Sequence, residues 1–225
     1  MTQASWIVDL SVVVPRDEVE RYLGYGSPGA VTQRIKKRLD ELWESCERMV
    51  RPRGACRAID EDEAGRIGVP GSGSMTALGL CTIGPALELE TTRLAAAGDM
   101  LDALLMDAFG SAAAETAAEA LAVLIGPLGC DRGLSPRPRS SPGYGDWPVT
   151  SQEALVALLP ARELGVALTP GCMMVPRKSV SFAIRFEEGS GGAGRTGRAC
   201  STCALTTCPY RARRGAAPTR AGSLQ

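Results

Sequence analysis

The residues best suited to chemistry in this chain run from Arg139 to Pro148, Arg-Ser-Ser-Pro-Gly-Tyr-Gly-Asp-Trp-Pro. A guanidinium is a planar fork of donors that grips a carboxylate through two hydrogen bonds. Pro142 fixes its own φ and has no N–H, while Gly143 permits a tight turn and a close approach to the backbone. Such a loop can hold the carboxylate of a small zwitterion, an amino acid or its adenosylated derivative, against the peptide groups of a turn. Spacing alone does not separate that reading from a surface turn that carries an arginine.

Upstream, Asp107, Ser111 and Glu115 recur every fourth residue in an alanine-rich apolar stretch and so share one face of a helix. The stripe is either a solvated face or the acidic wall of a site. A second constellation lies near the C-terminus, where Cys200, Cys203 and Cys208 form C-x2-C-x4-C ending in Cys-Pro. Thiolates so spaced can wrap one metal centre. An iron–sulfur cluster, a structural zinc and a redox-sensitive thiol tail are the three readings. The run lacks a fourth ligand, for which Cys130 and Cys172 are the candidates. Histidine is absent, which removes a His-based triad, a His-ligated metal and a His proton shuttle.

The order Arg-x-x-Pro-Gly-Tyr, then Leu164-Gly165-Val166-Ala167-Leu168-Thr169, then Met173-Met174-Val175-Pro176-Arg177-Lys178-Ser179-Val180-Ser181 resembles the activation domain of vitamin B12-dependent methionine synthase. It resembles still more the short stand-alone proteins built on that domain. The resemblance extends upstream through Val19 to Tyr25, Thr82-Ile83-Gly84 and Asp107 to Glu115, covering residues 15 to 186 in order. It implies an α+β single domain with long helices and a bent antiparallel sheet. It also implies that S-adenosylmethionine binds, with Arg139 on the methionine carboxylate, Glu115 toward the ammonium or sulfonium end, and the Pro142, Gly143 and Tyr144 backbone offering donors and acceptors to the adenosine. Ile184 and Arg185 occupy the positions of the adenine-side contacts, and Asp9 is a candidate for an acidic contact near the start of the domain. The implied role is reactivation in trans of a cobalamin-dependent methyltransferase such as methionine synthase. The partners would be a corrinoid-binding protein and an electron donor, and the chain would be a component of the reaction rather than a complete enzyme. The competing class is an iron–sulfur or other metal-binding accessory or electron-transfer protein with a vestigial pocket.

Composition excludes some partners. The 225 residues carry 25 basic and 25 acidic side chains, and aromatic residues make up 4%. Neither the charge balance nor the scarcity of stacking rings points to nucleic acid. The apolar residues from Trp6 are broken at Asp9, and the stretch from Leu94 to Ile125 carries Asp99, Asp102, Asp107, Glu115 and Glu119, so neither a signal pattern nor a bilayer span is expected. A cytoplasmic location is expected, with the eight cysteines mostly reduced thiols or metal ligands rather than structural disulfides.

The elements that must position the site are also legible. Trp6 to Val14 predicts a strand and Arg16 to Tyr25 a short helix ending at Gly24. Ser27 with Pro28 predicts the start of a helix whose apolar stripe is Val31, Ile35, Leu39, Leu42, Cys46 and Met49. Strands are expected over Gly54 to Ile59 and Ser74 to Ile83, separated by a charged, Gly-rich connection, with a helix after Gly84-Pro85. Asp99 to Ile125 predicts the central helix, ended by Gly126-Pro127. A helix from Ser151 to Leu159 and strands over Val166 to Thr169 and Ser179 to Phe186 complete a domain of residues 1–188. From Gly189 the composition changes to a flexible Gly/Arg linker and the Cys-rich tail, residues 189–225, with six arginines and no acidic residue.

Overall fold

The structure is a computed structural model that describes residues 5–25 and 31–188. Five strands form an antiparallel sheet in the order β1 (Trp6–Asp9), β2 (Arg53–Ile59), β3 (Met75–Thr82), β7 (Ser179–Glu188) and β4 (Leu134–Pro136). The central strand β3 pairs Cys56 with Gly79 on one side and Gly79 with Phe182 on the other. A two-stranded ribbon, β5 (Ala167–Leu168) and β6 (Met174–Val175), stands apart from the sheet. The fold is thus a mixture of helices and antiparallel sheet, as expected.

Helices cover both faces of the sheet. On one face lies α5 (Met100–Ile125), with α1 (Arg16–Tyr22), α2 (Gln33–Met49) and α4 (Ala86–Ala97) packed on it. Fourteen of its residues are buried, among them Ala112, Ala113, Ala114, Ala117, Ala118 and Ala122. Their short side chains let the helix lie close to Cys56, Ala77, Cys81, Phe182 and Ile184 of the sheet within one apolar core. This burial accounts for the apolar character of Met100–Arg132, which is long and apolar enough to cross a membrane but is mostly enclosed by the protein. The opposite face carries α3 (Glu61–Arg66), α6 (Ser151–Ala157) and a second core around Leu78, Leu80, Trp147 and Leu155.

Several boundaries differ from the sequence reading for identifiable reasons. β1 stops at Asp9 because its partner strand is preceded by Pro52; Leu10 N–H donates to the Pro52 carbonyl at 2.9 Å, and the proline returns no N–H. α2 begins at Gln33 after Thr32, while the expected cap, Ser27 with Pro28, lies outside the described residues. Part of the charged connection after β2 is the helix α3, capped by Asp60, whose side chain accepts from Glu63 N–H at 2.9 Å. The Cys-rich tail, with Cys200, Cys203 and Cys208, also lies outside the described residues.

Candidate ligand site

The site forms where the chain leaves β4 and runs beside β7. Ser140 exchanges two backbone hydrogen bonds with Ala183, of 2.9 and 2.8 Å, which sets Arg139 at the edge of the sheet. The chain then turns through Ser141 to Tyr144, with Gly143 at φ +89°, a left-handed conformation that favours glycine. The Gly143 N–H donates to the Trp147 carbonyl at 2.8 Å and the Tyr144 N–H to the Ser141 carbonyl at 3.2 Å. Both N–H groups are therefore used inside the turn, and the expectation that this backbone offers donors to an adenosine is corrected: carbonyls are what it has to present. Tyr144 is 73% exposed.

Trp147 anchors the far end of the loop. Its ring is buried in the second core and its Nε1–H donates to the Ile67 carbonyl at 3.1 Å. Truncating a buried aromatic costs about 3–5 kcal/mol, so this ring is a strong anchor for the loop. Gln152 at the start of α6 ties the next layer, accepting from Ser181 Oγ at 2.9 Å and donating to the Cys172 carbonyl at 3.3 Å.

Arg139 and Glu115 are brought together. They form a direct ion pair, Arg139 Nη2 to Glu115 Oε1, with side-chain exposures of 6% and 16%. The guanidinium carbon lies 5.6 Å from the centroid of the Phe182 ring, within cation–π reach. Arg139 Nε is buried and has no hydrogen-bond partner. Fully buried Cys81 feels both charges: burial pushes its thiol up to about 12, while Arg139 pulls it down and Glu115 raises it.

The rest of the α5 stripe meets a lysine from the sheet side, with Asp107 still part-exposed. Lys178, just ahead of β7, donates to Ser111 Oγ at 2.7 Å and pairs with Asp107 Oδ1 at 2.8 Å. Its stem lies over Gly110, where an added Cβ would come within 3.2 Å of the lysine Cε. Ser179 Oγ donates to the Pro176 carbonyl at 2.7 Å and thereby steadies the start of β7. Two cations from the β7 side thus face two carboxylates and a hydroxyl along one helix face. The sequence reading found the carboxylates and Ser111 but gave Lys178 no part, because nothing in its spacing links residue 178 to residue 107.

Other expected members fall elsewhere. Ile184 is fully buried beneath α5, so its side chain is packing and offers no surface to a ligand. Arg185 is on the opposite face of the sheet, because successive residues of a strand alternate. It lines a hollow of about 60 Å³ with Gly71, Gly73 and Thr76, and its guanidinium donates to the Ser72 carbonyl. That volume suits a few waters rather than a nucleobase. Asp9 is 91% exposed at the side chain, sits on the far edge strand and pairs with Arg53 at 3.4 Å, so it is not part of the site.

Among the described residues no group of three or more Cys, Asp or Glu is arranged to hold a metal. All five described cysteines are free thiols. Cys172 is buried and donates to Glu153 Oε1 at 3.6 Å; burial first, and then this carboxylate, raise its thiol above the ordinary range. Cys130 is exposed.

No family model matches the chain, and no curated protein matches it. Among solved structures it is similar to the MetH reactivation domain bound to AdoHcy, with a TM-score of 0.60 and 18% identity, covering 85% of this chain and 81% of that one. The two share a fold.

Proposed function

We propose that this chain, built on the fold of a methionine synthase reactivation domain, binds S-adenosylmethionine between α5 and the Arg139–Tyr144 loop. In this reading it serves in trans as the reactivation module of a cobalamin-dependent methyltransferase, docking on a corrinoid-binding protein that receives its electron from a separate donor. The observation that carries the reading is Arg139: a buried guanidinium with an unpartnered Nε, beside a carboxylate on the facing helix. A buried donor without a partner costs about 1–3 kcal/mol, which a bound carboxylate would recover. The structural neighbour, bound to AdoHcy, supports the same ligand class.

Each residue has a definable task. Arg139 holds the carboxylate, and Glu115 faces the ammonium. The carbonyls of Pro142 and Gly143 accept from the adenosine side, and the exposed Tyr144 ring flanks the entrance. Lys178 and Ser111 keep Asp107 and the neighbouring turn of α5 in place. S-adenosylmethionine, when bound, supplies an electrophilic methyl group; the chain's own contribution is to bind and orient it toward the docked partner. A cytoplasmic location fits this role.

For the tail we propose an iron–sulfur centre held by Cys200, Cys203 and Cys208, with zinc as the rival occupant, because reduction of a corrinoid needs an electron. The experiment that tests the main reading supplies this protein to an inactive cob(II)alamin methyltransferase with a reductant. Return of methylcobalamin should require both this chain and S-adenosylmethionine, and return without either one refutes it.

A further inference from the structure

Cys200, Cys203 and Cys208 are one thiol short of the four-thiolate set that commonly closes an iron–sulfur cluster or a structural zinc. Of the five described cysteines, Cys130 alone is exposed; Cys46, Cys56, Cys81 and Cys172 are buried. The place of Cys130 in the fold suits the tail as well. It lies in the 3-10 turn Gly126–Arg132 that leads into β4. Its neighbour Gly129 packs on Phe186, where an added Cβ would meet the ring at 2.5 Å. Leu134 of β4 is paired with Glu188, the last described residue before the tail. Eleven residues, five of them glycine, separate Glu188 from Cys200. Gly-rich stretches of that length span about 17–21 Å. Cys172 is worse placed. Its thiol donates to Glu153, and Gln152 bonds both its carbonyl and Ser181 Oγ, which sets it beside the opening residues of β7. From Ser181 to Glu188 that strand runs roughly 23 Å.

We propose that Cys130 is the fourth ligand of a four-thiolate metal centre with Cys200, Cys203 and Cys208, and that this centre closes the tail onto the β4 edge of the sheet. The inference rests on the metal centre proposed for the tail and names the residue of the folded domain that completes it. Each thiol enters as a thiolate and gives its proton to water, and no sulfur changes oxidation state. The same edge of the sheet carries the ligand loop. Ser140, next to Arg139, is bridged to Ala183, and from Ala183 to Glu188 is about 17 Å of β7. Closure through Cys130 therefore fixes the centre on the edge that holds Arg139, instead of leaving it at the end of a free chain.

The test uses the full-length protein, stripped of metal and reduced under anaerobic conditions, with Co²⁺ as the probe. Wild type should show the thiolate-to-cobalt charge-transfer band of a tetrahedral four-sulfur site. Cys130→Ala should lose about a quarter of that band, one sulfur of four. It should also bind Co²⁺ at least about tenfold more weakly, since even the outer partners of a metal ligand are worth about 10–100-fold in affinity. Cys172→Ala should match wild type in both respects. A second measurement needs no variant: iodoacetamide at pH 8 should label Cys130 in the metal-free protein and spare it in the loaded one. Separate loadings with iron plus sulfide and with Zn²⁺ show which centre draws Cys130 in. If Cys130→Ala binds Co²⁺ as wild type does, or Cys130 stays equally open to alkylation after either loading, the fourth ligand is not Cys130 although the tail holds metal. If wild type takes up no metal at all, the reading of the tail fails and this inference with it.

Discussion

The ring of Phe182 occupies the space that a side chain on its cross-strand partner Gly79 would need: an added Cβ there would stand 2.5 Å from the ring's Cζ. The same ring lies beneath the Arg139 guanidinium. The glycine therefore sets the depth of the aromatic floor on which the candidate clamp rests.

Gly79→Ala should accordingly cost about 1–3 kcal/mol through overpacking, because Phe182 is wholly buried between β3 and α5 and has no free direction in which to move. Chemical denaturation measures this, and ligand titration should show weaker binding beyond the stability loss. An alanine variant as stable as wild type would mean that the ring finds another position.

Lys178→Met keeps most of the stem over Gly110 but removes the ammonium from Asp107 and Ser111. Because Asp107 is 44% exposed, the expected loss is modest, about 0.5–1.5 kcal/mol. A double-mutant cycle with Asp107→Asn should give a positive coupling between the two positions. Additive losses would show that the contact contributes nothing of its own.

Burial raises the thiols of Cys46, Cys56 and Cys81 from an ordinary 9.0 to about 12 each. The sign follows from proton binding: above pH 9 the unfolded chain releases these protons while the folded chain keeps them, so each group favours unfolding as pH rises from about 9 to about 12. Stability measured by denaturant should decline over that window, and more shallowly in Cys81→Ala, compared against its own value at pH 8. At pH 8 iodoacetamide should label exposed Cys130 and spare these three until the protein unfolds. Rapid native labelling of Cys81 would place it outside the core.

Much of the architecture could be read in the sequence because it follows from periodicity and length. The alanine-rich run fixed α5 to within a residue, and the stripe through Leu39 and Cys46 marked α2, since both are the inward faces of helices against one core. Short elements escaped. α3 has six residues within a charged, Gly-rich stretch, and β4 has three residues ending in a proline at a sheet edge. Of the candidate site, the meeting of Arg139 with Glu115 was legible only through resemblance, because residues 24 apart are joined by sheet topology rather than spacing. The side chain of Arg185 lies on the face away from Arg139 for a simpler reason: which face a strand residue takes depends on register, and order alone does not give it.

Anaerobic purification of the full chain should give a brown protein containing iron and acid-labile sulfide, with both lost in a Cys200→Ser, Cys203→Ser, Cys208→Ser variant. Ending the chain at Glu188 should leave S-adenosylmethionine binding intact and abolish reductive reactivation of a corrinoid protein. Zinc without sulfide would make the tail structural, and unchanged reactivation after truncation would make it dispensable.

The most direct measurement is calorimetric titration of S-adenosylmethionine into wild type, Arg139→Ala and Arg139→Lys. Arg139→Lys keeps a cation opposite Glu115 but loses the fork, so it separates clamp geometry from charge. Hydrogen bonds to charged groups contribute about 1.5–3 kcal/mol, and about 1.4 kcal/mol corresponds to tenfold in affinity. The account predicts that wild type binds and that both variants, folded by thermal melting, bind at least about tenfold more weakly. Equal affinity in the three proteins, or no binding to wild type, would contradict it.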